Sequence, residues 1–517
     1  MPYVIGVDIG TQGIKGVMLD ESMNVSAKAY SEHTYVQPKP NWYEHDAEKT
    51  WWGGFKLIVR LLLEKAKVSP HEIVGVGCST IMPCMLPGDK DGNPLRNAIL
   101  YGIDTRTRQE IKELLQLLGE DTNTASGSRP ALSTDHVVPK MLWLRKNEPD
   151  IFSRTRRIFQ GTTYIIHKLT GQYELDFMQA APYFPLFNIE KKEWDIEICK
   201  MLDFSPDLLP GLKNCYDVAG TISPEASAET GLSRGTPVVL GTGDATAELI
   251  SAGGYRPGEV TLIYGTTGVV SLALDRFPDV KEAKVIYHTV FDNRSVGAGT
   301  ATSGALTKWF RDNFGDIEKL LQDRTGVNAY SMLGRQAENI PPGSEGLIVL
   351  PYFSGERAPI YDSSARGMVF GLTMHHTRAH LYRALLEGTA YSFRHILDNF
   401  EKYGVPISEV IACGGGAQSS LWLKIVSDVI GHDQTIPSMA TGSDIGSAYL
   451  AAKGIGLIDD IASFLLHRRQ ENAQIVKTDM QNHFRYRDFY RIYRSLYENT
   501  KSDMWQLSDL TKKTLEQ

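Results

Sequence analysis

The chain has 517 residues, 42% apolar and 22% charged, with a formal net charge of −7. That length exceeds what one hydrophobic core organises and predicts two or more domains. The acidic excess is dispersed along the sequence, which excludes nucleic acid or an anionic membrane surface as the main partner.

In chain order, YVIGVDIG and IKGVMLD are apolar, β-branched runs joined by a glycine-rich turn, and residues 3–20 read as a β-hairpin. WWGGFKLIVRLLLEKAK has helical periodicity, and HEIVGVGCST returns to a strand. GTPVVLGTGDAT, at 235–246, is a strand ending in glycines and an acid. EVTLIYGTTGVVSLAL, at 259–274, then repeats the opening pattern, so Gly10-Thr11-Gln12-Gly13 and Gly265-Thr266-Thr267-Gly268 are candidate equivalent turns of two related halves. The second half continues with the strand GLIVLPYFSG, a long helix from HTRAHLYRALLEG onward closed by Gly404, and a strand–glycine turn–helix at SEVIACGGGAQSSLWLKIVSDVIG. Alternation of this kind defines an α/β protein. The boundary between halves is expected in or just after GTGDAT, giving domains 1–246 and 247–517.

Cys78, Cys84, Cys199, Cys215 and Cys413 show no C-x-x-C spacing, as expected of reduced thiols. The N-terminus has no basic n-region, and no apolar run approaches the ~18 residues of a membrane span. A cytoplasmic protein is expected.

A turn of Gly and Thr between strands presents closely spaced backbone N–H groups, a concavity suited to phosphate oxygens. Lys15 lies just beyond it as a cation for phosphate charge. Asp8 enters from a strand expected to be buried, and a buried carboxylate there could be partnered by Mg²⁺ or its waters or simply cap the turn. The turn at Thr266 and the glycines of CGGGAQSS, at a strand end leading into a helix, are further nucleotide-contact candidates. No P-loop, clean G-x-G-x-x-G or G-x-S-x-G is present, which disfavours P-loop enzymes, Rossmann dehydrogenases and α/β-hydrolases.

VDIGTQGIKGVMLD, WYEHDAEKTWW, GTGDATAE, YGTTG, LPYFSGERAPIYDSSARGMVFGLT, LLEGTAYSFR and CGGGAQSSLWLKIVSDV together resemble the FGGY carbohydrate kinases, over about residues 3–497, with wording most similar to the xylulose kinases. The resemblance implies two actin-like (ribonuclease H-like) domains with ATP and Mg²⁺ in an interdomain cleft and a small sugar held mostly by the first. It places Asp244 on the family's general base, Asp8 near the metal, and Thr11, Gln12, Gly13 and Lys15 near the phosphates. Thr266 matches the second phosphate turn, and Gly304, Gly415, Gly416 and Ser420 match positions around the adenosine. Met82, Asp104, Asp244 and Ala245 are the expected sugar-binding positions. Xylulose kinases carry Gln-Met-His where this chain has Ile81, Met82 and Pro83, and Asn where it has Ala245. Two hydroxyl-binding groups are thus replaced, which opens the substrate to other ketopentoses, polyols or sugar acids such as ribulose, erythritol, glycerol or gluconate. Dimers are common in the family, and a homodimer is left open.

Arg106, Asp135 and Trp42 are further polar or stacking candidates in the first half. His376 and His380 have helical i, i+4 spacing without a third ligand of known spacing, and a solvated helix start is expected. Tyr486, Tyr490, Tyr493 and Tyr497 fall on one helical face, predicting a docked C-terminal helix instead of an RNA-binding segment. Glu356 and Arg357 of SGERAP match a family loop without an assignable role. An actin- or Hsp70-like ATPase shares the paired turns but does not call for Asp244 at a sugar site, and a regulator without catalysis does not call for intact Asp8, Thr11, Asp244 and Thr266.

Overall fold

A computed structural model describes residues 1–119, 132–275, 286–290 and 293–515. The chain forms two compact units, one of residues 1–255, 276–294 and 440–468, the other of 256–275, 295–439 and 469–517. The expected boundary after residue 246 is therefore corrected. Residue 246 lies inside the helix Asp244–Ala252, which runs on to its cap at Gly253, and the chain returns to the first unit at residue 440.

The first unit is built on a sheet ordered Val218–Thr221, Pro237–Val239, Ile73–Thr80, Tyr3–Ile9, Gly13–Leu19, Val25–Glu32. The opening hairpin is antiparallel, Val4 facing Leu19 and Ile9 facing Ile14, and Gly10 N–H closes its turn on Gly13 O at 2.9 Å. Its first strand pairs in parallel with Ile73–Thr80. Both strands are apolar almost throughout, as expected where both faces of a parallel pair are covered. One cover is helix Gly53–Ala66, whose Phe55, Ile58, Val59 and Leu62 form a buried stripe. It ends at Lys67, whose left-handed backbone (φ 54°) lets its N–H bond Leu63 O.

Helix Ser443–Gly454 lies on the opposite face, and glycine makes that approach possible. A Cβ on Gly6 would fall 2.0 Å from Asp444 O, and one on Gly77 would fall 2.2 Å from Ser447 O. Backbone meets backbone there, with no side chain able to move aside.

The second unit repeats the plan. Its hairpin Glu259–Tyr264 and Gly268–Leu274 pairs Tyr264 with Gly268, and the first strand runs parallel to Glu409–Cys413. The sheet continues through Gln434–Ile436 to Gln474–Val476. Helix Arg378–Phe400 is buried on nearly every side. The C-terminal helix, Met480–Leu515, buries Tyr486, Tyr490, Tyr493 and Tyr497 as one face, with Tyr493 bonded to Tyr352 and Ser392. No described helix is long and apolar enough to cross a membrane.

Because Ser447 O leaves no room for a side chain at residue 77, Gly77→Val should cost about 3 kcal/mol or more of the first unit's stability. Denaturant unfolding followed by intrinsic fluorescence measures it.

Candidate active site

Three strand ends of the first unit converge. Asp8 faces Ser79 across one parallel pair, and Thr242 faces Ser79 across another. Asp244 follows at once as the first residue of its helix. Asp8 is 5% exposed. Its Oδ1 accepts the Ser79 hydroxyl at 2.7 Å, and its Oδ2 lies 3.6 Å from Lys15 Nζ. Hairpin register explains the second contact, since Asp8 and Lys15 face each other across the strands and their side chains share one side of the sheet.

Four carboxylates, Asp8, Asp444, Glu248 and Asp244, surround Lys15. Burial pulls the lysine's pKa down, but these charges outweigh it and hold it above its usual value. Burial, reinforced by the Asp8 charge, pushes Asp244 up to about 7, against the Ala245 N–H and Lys15. Burial likewise raises Glu248, one helical turn beyond Asp244, and Asp444. Sequence reasoning missed Ser79, Glu248 and Asp444. Of these only Glu248, at i+4 from Asp244, left a signal in the sequence.

Met82 lies beside Asp244: a Cβ on Gly243 would sit 2.1 Å from Met82 Sδ. The Met82–Pro83 peptide is cis. Ala245 is exposed and donates its N–H to Asp244 Oδ1 at 2.8 Å. Thr11 Oγ1 is 3.1 Å from Tyr101 Oη, and Gln12 is exposed at the turn.

Asp104, expected at the sugar, is instead fully buried. It accepts the Tyr43 N–H at 2.7 Å and the Arg106 guanidinium at 2.7 to 3.0 Å. Arg106 also holds Glu44 at 2.9 Å and lies 4.3 Å above the Trp42 ring. These three candidates build a buried wall, because a paired charge away from water is far less costly than a free one. Asp135 is seated differently. It accepts Gly102 N–H at 2.7 Å, and a Cβ on Gly102 would strike its carboxylate at 2.2 Å. Lys140, fully buried, donates to Thr134 O and His136 O at 2.6 and 3.1 Å and fixes the loop that carries Asp135. Burial draws that lysine down to about 8.

In the second unit, Gly304 N–H bonds Gly265 O at 2.9 Å, and a Cβ on Gly304 would fall 2.7 Å from the same oxygen. The start of helix Gly304–Phe314 is thereby laid on the Thr266 turn. A Cβ on Gly415 would meet nothing within 4 Å, whereas one on Gly416 would meet Trp422 and Tyr264. Ser420 is the first residue of the following helix, and Ser419 caps it through Trp422 N–H.

The histidines at 375–380 gain a partner that the sequence did not suggest. Glu345 Oε2 lies 2.6 Å from His375 Nε2 and 3.3 Å from His380 Nε2, the only His–carboxylate trio so tight among the described residues. His380 Nδ1 accepts the Thr377 N–H, which leaves the ring proton on Nε2, aimed at Glu345. The trio forms a hydrogen-bonded helix start, and Glu345 supplies the third ligand-type group that the sequence pattern lacked.

The sequence matches the model of the FGGY carbohydrate kinase N-terminal domain over residues 3–251 and that of the C-terminal domain over residues 260–455. The chain belongs to the FGGY family of carbohydrate kinases. It is 29% identical over 503 residues to a xylulose kinase of Bacillus subtilis strain 168, covering 97% of this chain and 98% of that relative. It is 27% identical over 463 residues to a gluconokinase of the same strain, with 88% of each covered. A solved xylulose kinase structure from Rhodospirillum rubrum matches with a TM-score of 0.82 and 27% identity, over 97% of this chain and 99% of that one. The two-domain FGGY kinase fold and ATP-dependent sugar phosphorylation are properties of this chain.

Asn at position 244 has no charge to desolvate, so Asp244→Asn should raise the melting temperature near pH 8. Wild-type Asp244 favours its neutral form in the fold, so wild-type stability drops as pH rises from about 4 to about 7. The gap between the proteins should open over that window and stay level above it, as thermal unfolding across pH will show.

Proposed function

We propose that this FGGY kinase transfers the γ-phosphate of ATP to a hydroxyl of a neutral ketopentose of the D-xylulose kind, with Asp244 as general base. One observation carries the assignment of the base. Asp244 stands at a strand end where burial, reinforced by the Asp8 charge, pushes its pKa up to about 7, and a base works best when its pKa lies near the operating pH. Asp244 takes the proton of the attacking hydroxyl as that oxygen bonds to the γ-phosphorus and ADP departs.

Asp8, with Ser79 orienting one of its oxygens, is the first candidate to hold Mg²⁺, and the carboxylates of Asp244, Glu248 and Asp444 near it suit that hard cation. Bound Mg²⁺ would neutralise phosphate charge. Lys15 and the backbone amides of Thr11, Gln12 and Gly13 face phosphate in the first unit, with the Thr266 turn, Gly304, Gly415, Gly416 and Ser420 serving the nucleotide in the second.

Two cations of the first unit support a neutral sugar over an acid. Arg106 is held by Asp104 and Glu44, and Lys140 donates to two carbonyls. A gluconate carboxylate finds both of them already engaged. Met82 and Ala245 offer surface instead of hydroxyl-binding groups, and Asp135, held by one oxygen on Gly102, supplies an acceptor for a sugar hydroxyl.

Asp244→Asn should lower sugar phosphorylation by about 10³-fold or more while leaving the ADP dissociation constant within about twofold. In the wild type, kcat/KM for the sugar should fall about tenfold per pH unit below about 7, where the base is protonated. Near-wild-type turnover in the Asn variant would remove Asp244 from that role.

A further inference from the structure

We propose that Glu356 is a positioning residue for the nucleotide, gripping the loop that holds the Gly265–Gly268 turn in place. The inference rests on that turn being a nucleotide-binding element. Glu356 is 4% exposed. Its Oε1 accepts Ala301 N–H at 2.5 Å and Arg357 N–H at 2.8 Å. Ala301 sits in the middle of a loop bonded to the turn on both sides. Thr300 N–H bonds Gly268 O at 2.8 Å, and Gly268 N–H returns to Thr300 Oγ1 at 2.9 Å. Ser303 and Ala305 N–H groups both bond Thr266 O, at 3.1 and 3.0 Å, and Gly304 N–H bonds Gly265 O. The turn's carbonyls are thus spent on this loop.

The carboxyl is itself anchored. Glu356 N–H bonds Asp362 O at 2.8 Å, and the Asp362 carboxylate accepts Tyr497 Oη and Trp505 Nε1 of the C-terminal helix at 2.9 and 2.6 Å. Ala358 N–H bonds Gly299 O at 3.1 Å, and Arg357 lies against Gly299. A rigid frame behind and a single carboxyl oxygen in front is the arrangement of a tether.

The other oxygen, Oε2, is buried and has no hydrogen-bond partner among the described residues. Burial pushes this carboxyl up to about 8, against the two N–H groups and Arg357. It is therefore largely neutral near pH 7, and a glutamine preserves what it does. A methionine fills the same volume and removes the unpaired Oε2, but it leaves the Ala301 and Arg357 N–H groups without their acceptor, so that variant tests the tether at some cost in stability.

The test compares wild type, Glu356→Met and Glu356→Gln by ADP titration calorimetry and by steady-state KM for ATP and for the sugar. Glu356→Met should weaken ADP binding and raise the ATP KM about tenfold, with the sugar KM within about twofold and a lowered melting temperature that Glu356→Gln does not share. Glu356→Gln should stay within about threefold of wild type. ADP affinity in Glu356→Met equal to wild type would overturn the inference, as would a Gln variant as weak as the Met variant. A wild-type chain that binds no ADP would instead overturn the nucleotide reading beneath it.

Discussion

Gathering Asp8, Asp244, Glu248 and Asp444 around one lysine is the constraint on which the first unit depends. Burial disfavours the charged forms of Asp244, Glu248 and Asp444, and the Asp8 charge adds to that cost at each of them. Such a group holds together only where the backbone is over-determined, and here three strand ends fix it. The parallel pairings set Asp8 beside Ser79 and bring Thr242 to the same strand. Helix Ser443–Gly454, which carries Asp444, reaches them because Gly6 and Gly77 admit its backbone. Burial first, and the Asp8 charge second, bring the Asp244 pKa up toward neutrality.

Much of this was legible in the sequence, for local reasons. The hairpin at 3–20, the helix after Trp52 and the repeat at Gly265–Gly268 announce themselves by periodicity and turn chemistry. The pairing of Asp8 with Lys15 follows from the hairpin alone. What stayed hidden depends on distant segments meeting. Nothing near Asp444 marks it as a neighbour of Asp8, 436 positions earlier, and nothing near Glu345 points to His375 and His380. The unit boundary was misplaced for the same reason, since residues 440–468 return to the first unit with no linker composition to signal it. Asp104 was expected at the sugar because nothing in the sequence shows that it and Arg106 form a buried pair beneath Trp42.

The second unit uses the same hairpin for a different end. Its turn is held by the backbone of residues 300–305 and carries no counterpart of Asp8; Thr266 stands where geometry, not charge, is needed. The two hairpins thus share a plan but differ in charge, one bringing Asp8 opposite Lys15 and the other closing on Tyr264 and Gly268. FGGY relatives named for xylulose and for gluconate share that architecture at similar identity. Family membership therefore does not name the sugar; under the proposal above, Met82, Ala245 and Asp135 are the side chains that would set it.

The most direct measurement is ADP release from Mg-ATP with and without D-xylulose, L- and D-ribulose, gluconate, glycerol and erythritol. The account predicts turnover that depends on sugar, with a ketopentose strongest and gluconate weak. ATP turnover indifferent to every sugar would contradict it, and would point to an ATPase that works on protein partners.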